Sequence, residues 1–117
     1  MKSKKDIVEN WLPRYTGMKL EDFGKYILLT NFKGYMTMFC EITGAEIKDK
    51  SKGMPAVTHE GITMINFGMG SANAATIMDL LSAIEPKACL FLGKCGGLKK
   101  KNKLGDFVLP IAAIRGE

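Results

Sequence analysis

Short apolar runs predict the strands of this chain. Residues 26–30 and 88–92 are nearly continuous apolar runs of the length of a strand buried on both faces. Residues 56–58 and 62–67 flank a short turn, a pattern that favours a hairpin. Residues 106–115 also have a strand-like composition, and we expect a further strand there.

Apolar residues spaced three and four positions apart predict the helices. An N-terminal helix is expected to end at Pro13, and a second helix is expected over residues 35–43. A third is expected to run to Ile84, with Ser71 or Asn73 as its N-cap. Strands that alternate with helices predict an α/β fold with a mixed, largely parallel sheet flanked by helices.

Two of the predicted strands run into glycine-rich loops. Gly68-Met69-Gly70 follows the strand at residues 62–67, and residues 93–98 follow the strand at residues 88–92. Open α/β sheets bind ligands beyond the carboxyl ends of their strands, so these two loops predict one ligand crevice. Glycines let the backbone turn sharply and approach a ligand closely.

The Gly68-Met69-Gly70 loop matches the dinucleotide-binding fingerprint only in part. Asn73 stands where the third glycine is required, and no acidic residue ends the next strand to bind a ribose. We therefore expect no dinucleotide cofactor. Backbone N–H groups at the following helix N-terminus can still bind an anion or a ligand hydroxyl, and a plain turn without a ligand is the alternative.

Composition narrows the class of protein. The chain has 117 residues, 46% of them hydrophobic, which fits one small domain with a core. The net charge is +5, and part of it lies in the lysine-rich residues 99–103, which we interpret as a solvated loop. No aromatic residue interleaves with these lysines, so nucleic acid is not an expected partner.

Three further absences from the sequence shape the expectations. The three cysteines lack CxxC spacing and no signal peptide is visible, which favours a reducing cytoplasm. No apolar run approaches the roughly 20 residues of a membrane helix, so no membrane association is expected. His59 has no partner at ligand spacing, so no metal site is expected either.

Four short motifs follow one another along the chain: Phe67-Gly68-Met69-Gly70, Leu92-Gly93-Lys94-Cys95-Gly96-Gly97-Leu98, Gly105-Asp106 and Ala113-Ile114-Arg115-Gly116-Glu117. Their order and spacing together resemble the purine nucleoside phosphorylase and nucleosidase superfamily, and within it the shorter bacterial AMP nucleosidases. Residues 26–39 and 68–81 also resemble that branch, so the likeness covers nearly the whole chain.

The resemblance implies an α/β sandwich that assembles into homo-oligomers, commonly hexamers. It implies hydrolysis of the N-glycosidic bond of AMP or a related purine nucleotide, to adenine and ribose 5-phosphate, without a cofactor. The residues that match the ribose and base loops are then the expected substrate-binding residues: Met69, Gly70, Ser71, Lys94, Cys95 and Gly96.

The resemblance also implies that part of the site is missing from this chain. The family's ribose-binding glutamate and the acidic residue near the purine have no counterpart here, so no catalytic residue is assigned and both are expected beyond Glu117. We expect residues 1–117 to be the N-terminal part of one catalytic domain, with a helical lead-in over residues 1–25 and the sheet core over residues 26–117.

Departures from the family pattern favour water over phosphate as the attacking group. Phosphorylases of this superfamily hold phosphate with an arginine where Phe91 stands, and have Ser or Thr where Lys94 stands. Asn31 and Lys33 are possible contacts of the substrate's own phosphate. Phosphorolysis of a nucleoside, or a non-catalytic nucleotide-binding or assembly module, are the alternatives.

Overall fold

The computed structural model describes residues 1–116. Short 3-10 turns occupy Leu20–Asp22 and Leu81–Ala83. The helices and strands of this range are α1 (Lys4–Thr16), β1 (Tyr26–Thr30), α2 (Lys33–Thr43), β2 (Ala56–His59), β3 (Ile62–Asn66), α3 (Ser71–Leu80) and β4 (Ala88–Leu92).

The four strands form one sheet in the order β2-β3-β1-β4. β1 is parallel to both β3 and β4, and β2 is antiparallel to β3. The register places Thr30 opposite Asn66 on one side and Leu92 on the other, so the three parallel strands end level. The predicted α/β fold with a mixed, largely parallel sheet is therefore confirmed, as is the hairpin of β2 and β3.

Helices cover both faces of the sheet, and strand alternation sorts the core between them. Ile27 and Leu29 of β1 face the α1 and α3 side, where Leu12 and Ile77 are fully buried. The opposite face packs on α2 in a smaller cluster built from Met36, Val57 and Met64. β1 and β3 bury side chains on both faces. The apolar run of β4 is exposed or half-buried instead, so the burial on both faces expected for residues 88–92 is wrong.

Helix α1 is longer than the sequence predicted. Pro13 does not end it, because the helix continues to Thr16 and closes at Gly17, whose left-handed backbone (φ 73°) donates an N–H to the Pro13 carbonyl at 2.8 Å. The buried Thr16 hydroxyl donates to the Leu12 carbonyl at 2.8 Å and so satisfies a backbone group near the proline. At the other end, Ser3 and Asp6 form a capping box.

Helix α3 also differs from the prediction at both ends. Gly70 is its N-cap, and neither Ser71 nor Asn73 caps it: Ser71 is the first helical residue, and the N-cap makes no side-chain hydrogen bond within the described range. The α-helix ends at Leu80, and the 3-10 turn Leu81–Ala83 carries the chain to Ile84.

A buried hydroxyl fixes the amino end of β1. The Oγ1 atom of Thr63 accepts a hydrogen bond from the Gly24 backbone N–H at 2.8 Å and lies 2.7 Å from Thr58 Oγ1. Gly24 packs so tightly that a Cβ there would lie 2.1 Å from the Gly61 carbonyl oxygen. Only glycine fits this position without moving the backbone.

The predicted strand at residues 106–115 is wrong: residues 93–116 contain turns and extended chain but no helix or strand. A strand needs a hydrogen-bonded neighbour, and the apolar side chains of this segment, such as Phe107 and Ile111, are fully exposed in the structure. Glu117, the last residue of the quoted motif, lies outside the described residues. Within residues 1–116, no helix has the length and apolarity needed to cross a membrane.

Candidate functional site

Three loops meet where the parallel strands end. Backbone hydrogen bonds tie the first two together, because the Phe67 N–H donates to the Thr30 carbonyl at 3.1 Å. Each loop is also held by a side chain: the Phe32 N–H donates to Thr30 Oγ1 at 3.1 Å, and the Gly68 N–H donates to Asn66 Oδ1 at 3.0 Å. The crevice predicted at the carboxyl edge of the sheet is therefore built on short loops anchored to the strand ends.

The loop between β3 and α3 needs its glycines. Gly68 and Gly70 have φ values of 82° and 95°, which side chains rarely adopt. The space around Gly70 is open, whereas a Cβ on Gly68 would lie 2.9 Å from Asn73 Nδ2. α3 begins directly after this loop, and the first backbone N–H groups of a helix, which have no partner within it, suit an anion or a hydroxyl.

A cavity of about 380 Å³ opens beside these loops. Its size is within the range of small-molecule sites. Its lining is mostly apolar, and the Phe67 and Phe91 rings stand 5.8 Å apart in it. The residues that line it are Leu29, Asn31, Phe67, Gly70, Ser71, Ala74, Met78, Cys89 and Phe91.

Asn31, which lines this cavity, has a buried polar atom. Its Oδ1 atom is inaccessible to solvent and has no hydrogen-bond partner among residues 1–116. A buried acceptor left unpaired costs roughly 1–3 kcal/mol. Unsatisfied groups of this kind are uncommon in folded proteins, and a ligand donor is one physical explanation for this one.

Lys94, in the loop after β4, contacts two aromatic rings at the start of α2. Its ammonium nitrogen is 4.7 Å from the centre of the Phe32 ring and 5.5 Å from that of Tyr35. The two rings are themselves 5.4 Å apart. The two distances from the Lys94 nitrogen fall within the range of cation–π attraction, so this contact joins the loop after β4 to the loop after β1.

The cysteines offer no nucleophile. Burial raises the pKa of the Cys89 thiol above its ordinary value, which reduces its thiolate fraction at neutral pH. Cys95 is exposed, but His59 pairs with Ile62 at the opposite edge of the sheet. An imidazole there cannot serve as the base for Cys95.

Acidic groups are absent from the described part of the crevice. No Asp or Glu of residues 1–116 lines the 380 Å³ cavity. The same range holds no group of three or more His, Cys, Asp or Glu side chains suited to a metal ion. The described residues can bind and shape a ligand there, but they supply no carboxylate for proton transfer.

A second, larger cleft lies near the amino end of β1. It measures about 840 Å³ and is open to solvent between α1 and the two 3-10 turns. Three lysines and three glutamates line it, and the Lys25 ammonium already donates a hydrogen bond to the Ile84 carbonyl at 2.8 Å. It shares none of the glycine-rich loops.

The structure gathers some of the predicted site residues and separates others. Asn31, Gly70 and Ser71 line the cavity together. Met69 is 79% exposed at the tip of its loop. The other predicted residues are exposed and do not line the cavity: Lys33, Lys94, Cys95 and Gly96.

Sequence reasoning missed Phe32 and Tyr35. Both flank Lys33-Gly34 just after β1. Two aromatic residues so close to the carboxyl end of a strand are a signal that the sequence shows. Their contact with Lys94, about 60 residues further on, depends on β1 and β4 being neighbours and was not visible in the sequence.

Comparisons with known proteins agree with this architecture. A crystal structure of AMP nucleosidase from Bacteroides thetaiotaomicron superposes with a TM-score of 0.91 at 65% identity, over 98% of this chain and 50% of that one. AMP nucleosidases of Escherichia coli K12 and O157:H7 are each 29% identical over 91% of this chain and 30% of their own length. The chain thus spans about a third of those relatives and half of the solved structure.

The family model for the phosphorylase superfamily matches residues 25–117. This range contains all four strands, both glycine-rich loops and the crevice that they form. The chain belongs to the phosphorylase superfamily.

Proposed function

We propose that this protein, in its complete form, hydrolyses the N-glycosidic bond of AMP to give adenine and ribose 5-phosphate. The observation that carries the proposal is the 65% identity and 0.91 TM-score to a solved AMP nucleosidase over 98% of the chain. Residues 1–117 then form the N-terminal part of one catalytic domain, with a helical lead-in over residues 1–25 and the sheet core after it.

Hydrolysis of this bond passes through a cationic, ribosyl-like transition state, so the enzyme must position the sugar, a water molecule and a proton donor for the purine. The described chain supports the first of these tasks. Gly70 and Ser71 line the cavity at the start of α3, and the buried Oδ1 atom of Asn31 can accept a hydrogen bond from a ligand donor. We place the acid and the ribose-binding carboxylate beyond Glu117.

The base is proposed to lie against the loop after β4. Lys94, Cys95 and Gly96 are exposed there and free of secondary structure, so their backbone groups are accessible to a purine edge. Met69 projects from the neighbouring loop and can cover the ligand from that side. Binding, and not proton transfer, is the role we assign to these residues.

Water is proposed as the nucleophile because the described part of the crevice has no arginine to bind free phosphate. Phe91 and Phe67 form an apolar pair in the cavity, at the place where an arginine would be needed. A bidentate arginine contact cannot be replaced by an aromatic ring. The cations near the crevice, Lys33 and Lys94, are instead proposed to meet the 5′-phosphate of the substrate, with Asn31 nearby.

Adenine release by the complete protein tests the proposal. We expect AMP to be cleaved and adenosine to be cleaved much more slowly, with rates that inorganic phosphate does not raise. Acceleration by phosphate would indicate phosphorolysis instead, and nucleotide binding without any release of adenine would indicate a non-catalytic binding module.

Two wider properties are also proposed, the first from the family and the second from the three cysteines, which lack CxxC spacing. The complete protein is proposed to be a homo-oligomer, with a hexamer as the expected size, and to act in the cytoplasm. Light scattering coupled to gel filtration measures the first, and a monomer at working concentration would contradict it.

A further inference from the structure

Lys94 is distinguished by its contact with aromatic rings. Most lysines of the described range form no ion pair, and three pair with carboxylates: Lys4 with Asp79 at 2.6 Å, Lys5 with Glu9 at 3.8 Å and Lys48 with Asp22 at 3.9 Å. Lys94 has no carboxylate within salt-bridge distance in residues 1–116, and its ammonium instead lies over two aromatic rings.

This difference matters because a ring and a carboxylate have opposite effects on the charge. A carboxylate holds an ammonium but neutralises it. An aromatic ring attracts the cation through its quadrupole and carries no net charge, so the positive charge stays available to an anion. Phe32 and Tyr35 therefore restrict the long Lys94 side chain without cancelling its charge.

The start of α2, which Lys94 contacts through Phe32 and Tyr35, carries no negative charge. Lys33 is the first residue of α2, and the first turn of that helix has no acidic residue. A positive charge at a helix N-terminus opposes the helix dipole, and a bound phosphate would complement both.

We propose that Phe32 and Tyr35 are positioning residues that hold the uncompensated Lys94 ammonium at the carboxyl edge of the sheet, where it selects substrates that carry a 5′-phosphate. This inference rests on the proposed function and deepens it, because it names the residues that distinguish a nucleotide from a nucleoside. It also joins the loops after β1 and β4 into one unit.

Kinetics of the complete protein test the inference. Phe32→Leu is expected to lower kcat/KM for AMP by roughly three- to tenfold, the scale of a lost cation–π contact, and to act mainly through KM. Activity on adenosine should stay the same, so the ratio of AMP to adenosine activity falls. Tyr35→Leu should act in the same direction, and Tyr35→Phe, which keeps the ring, should retain the ratio.

A double-mutant cycle separates positioning from general damage. Lys94→Met should lower the ratio at least as far as Phe32→Leu, and adding Phe32→Leu to Lys94→Met should lower it no further. Phe39→Leu is the matched control, since Phe39 is a half-buried aromatic of the same helix that packs on the Met36 cluster. It should change activity on both substrates equally.

Binding of ribose 5-phosphate and of ribose, measured by calorimetry, makes the inference independent of turnover. The Phe32→Leu and Lys94→Met variants should bind ribose 5-phosphate several-fold more weakly and ribose as before. If the wild type cleaves AMP but the ratio and the ribose 5-phosphate affinity survive these changes, the inference is wrong and the proposed function stands. If the wild type does not cleave AMP, the proposed function fails. The binding series still decides the role of Lys94, and a wild type that does not bind ribose 5-phosphate overturns the inference.

Discussion

Replacing Asn31 by leucine should leave the unliganded protein at least as stable while it impairs activity. The buried Oδ1 atom has no partner in residues 1–116, so the wild type carries a desolvation cost of roughly 1–3 kcal/mol. Leucine removes that cost and adds apolar contact with Leu29 and Phe67, which line the same cavity. We expect the free energy of unfolding to rise by up to about 2 kcal/mol, and kcat/KM for AMP to fall about tenfold through the lost ligand hydrogen bond.

Urea unfolding without ligand, paired with AMP hydrolysis, measures both effects. Asn66→Leu is the matched control at the neighbouring strand end, since Asn66 Oδ1 accepts the Gly68 N–H at 3.0 Å. That variant should lose about 1 kcal/mol, because a backbone donor is left unpaired. If Asn31→Leu loses as much stability as Asn66→Leu, Asn31 is a structural residue and its assignment to ligand binding is refuted.

Three further predictions follow from the same contacts. Gly24→Ala should lower the free energy of unfolding by about 3 kcal/mol, because its Cβ would meet a backbone oxygen at 2.1 Å, whereas Gly53→Ala, in open space, should change it little in the same urea assay. Iodoacetamide at pH 8 should modify exposed Cys95 before half-buried Cys89, whose raised pKa limits its thiolate, and AMP should protect Cys95; equal rates by mass spectrometry would contradict this. Hydrogen bonds from Ser3 lower the pKa of Asp6. The capping box should therefore stabilise α1 fully above about pH 4, the ordinary pKa of Asp, and lose this effect as the pH falls through the lowered pKa. Circular dichroism of the wild type and of Ser3→Ala across this pH range checks the direction of the effect.

The sequence predicted the sheet well because its signals are local. Continuous apolar runs identified β1 and β4, and the three- and four-residue spacing around Met36 identified α2. Helix ends were predicted less well. α1 continues past Pro13 to its C-cap at Gly17, and the burial of Leu12 and Thr16 in this last turn depends on tertiary packing that the sequence does not show.

The candidate site was predictable in outline and not in its contacts. The two glycine-rich loops indicated the crevice, since parallel strands bring their carboxyl ends to one edge. Two details depend on which strands are neighbours: the burial of the Asn31 side-chain oxygen, and the contact of the Lys94 ammonium with the Phe32 ring. The strand expected at residues 106–115 failed for a related reason, because strand propensity without a neighbouring strand does not make a strand.

Product analysis in phosphate buffer tests the central claim most directly. The complete protein is incubated with AMP and excess inorganic phosphate, and the sugar product is identified by phosphorus NMR. Because Phe91 and Phe67 leave no arginine grip for free phosphate, the sugar product should be ribose 5-phosphate, formed with adenine in equal amount. Ribose 1,5-bisphosphate as the product would contradict the account.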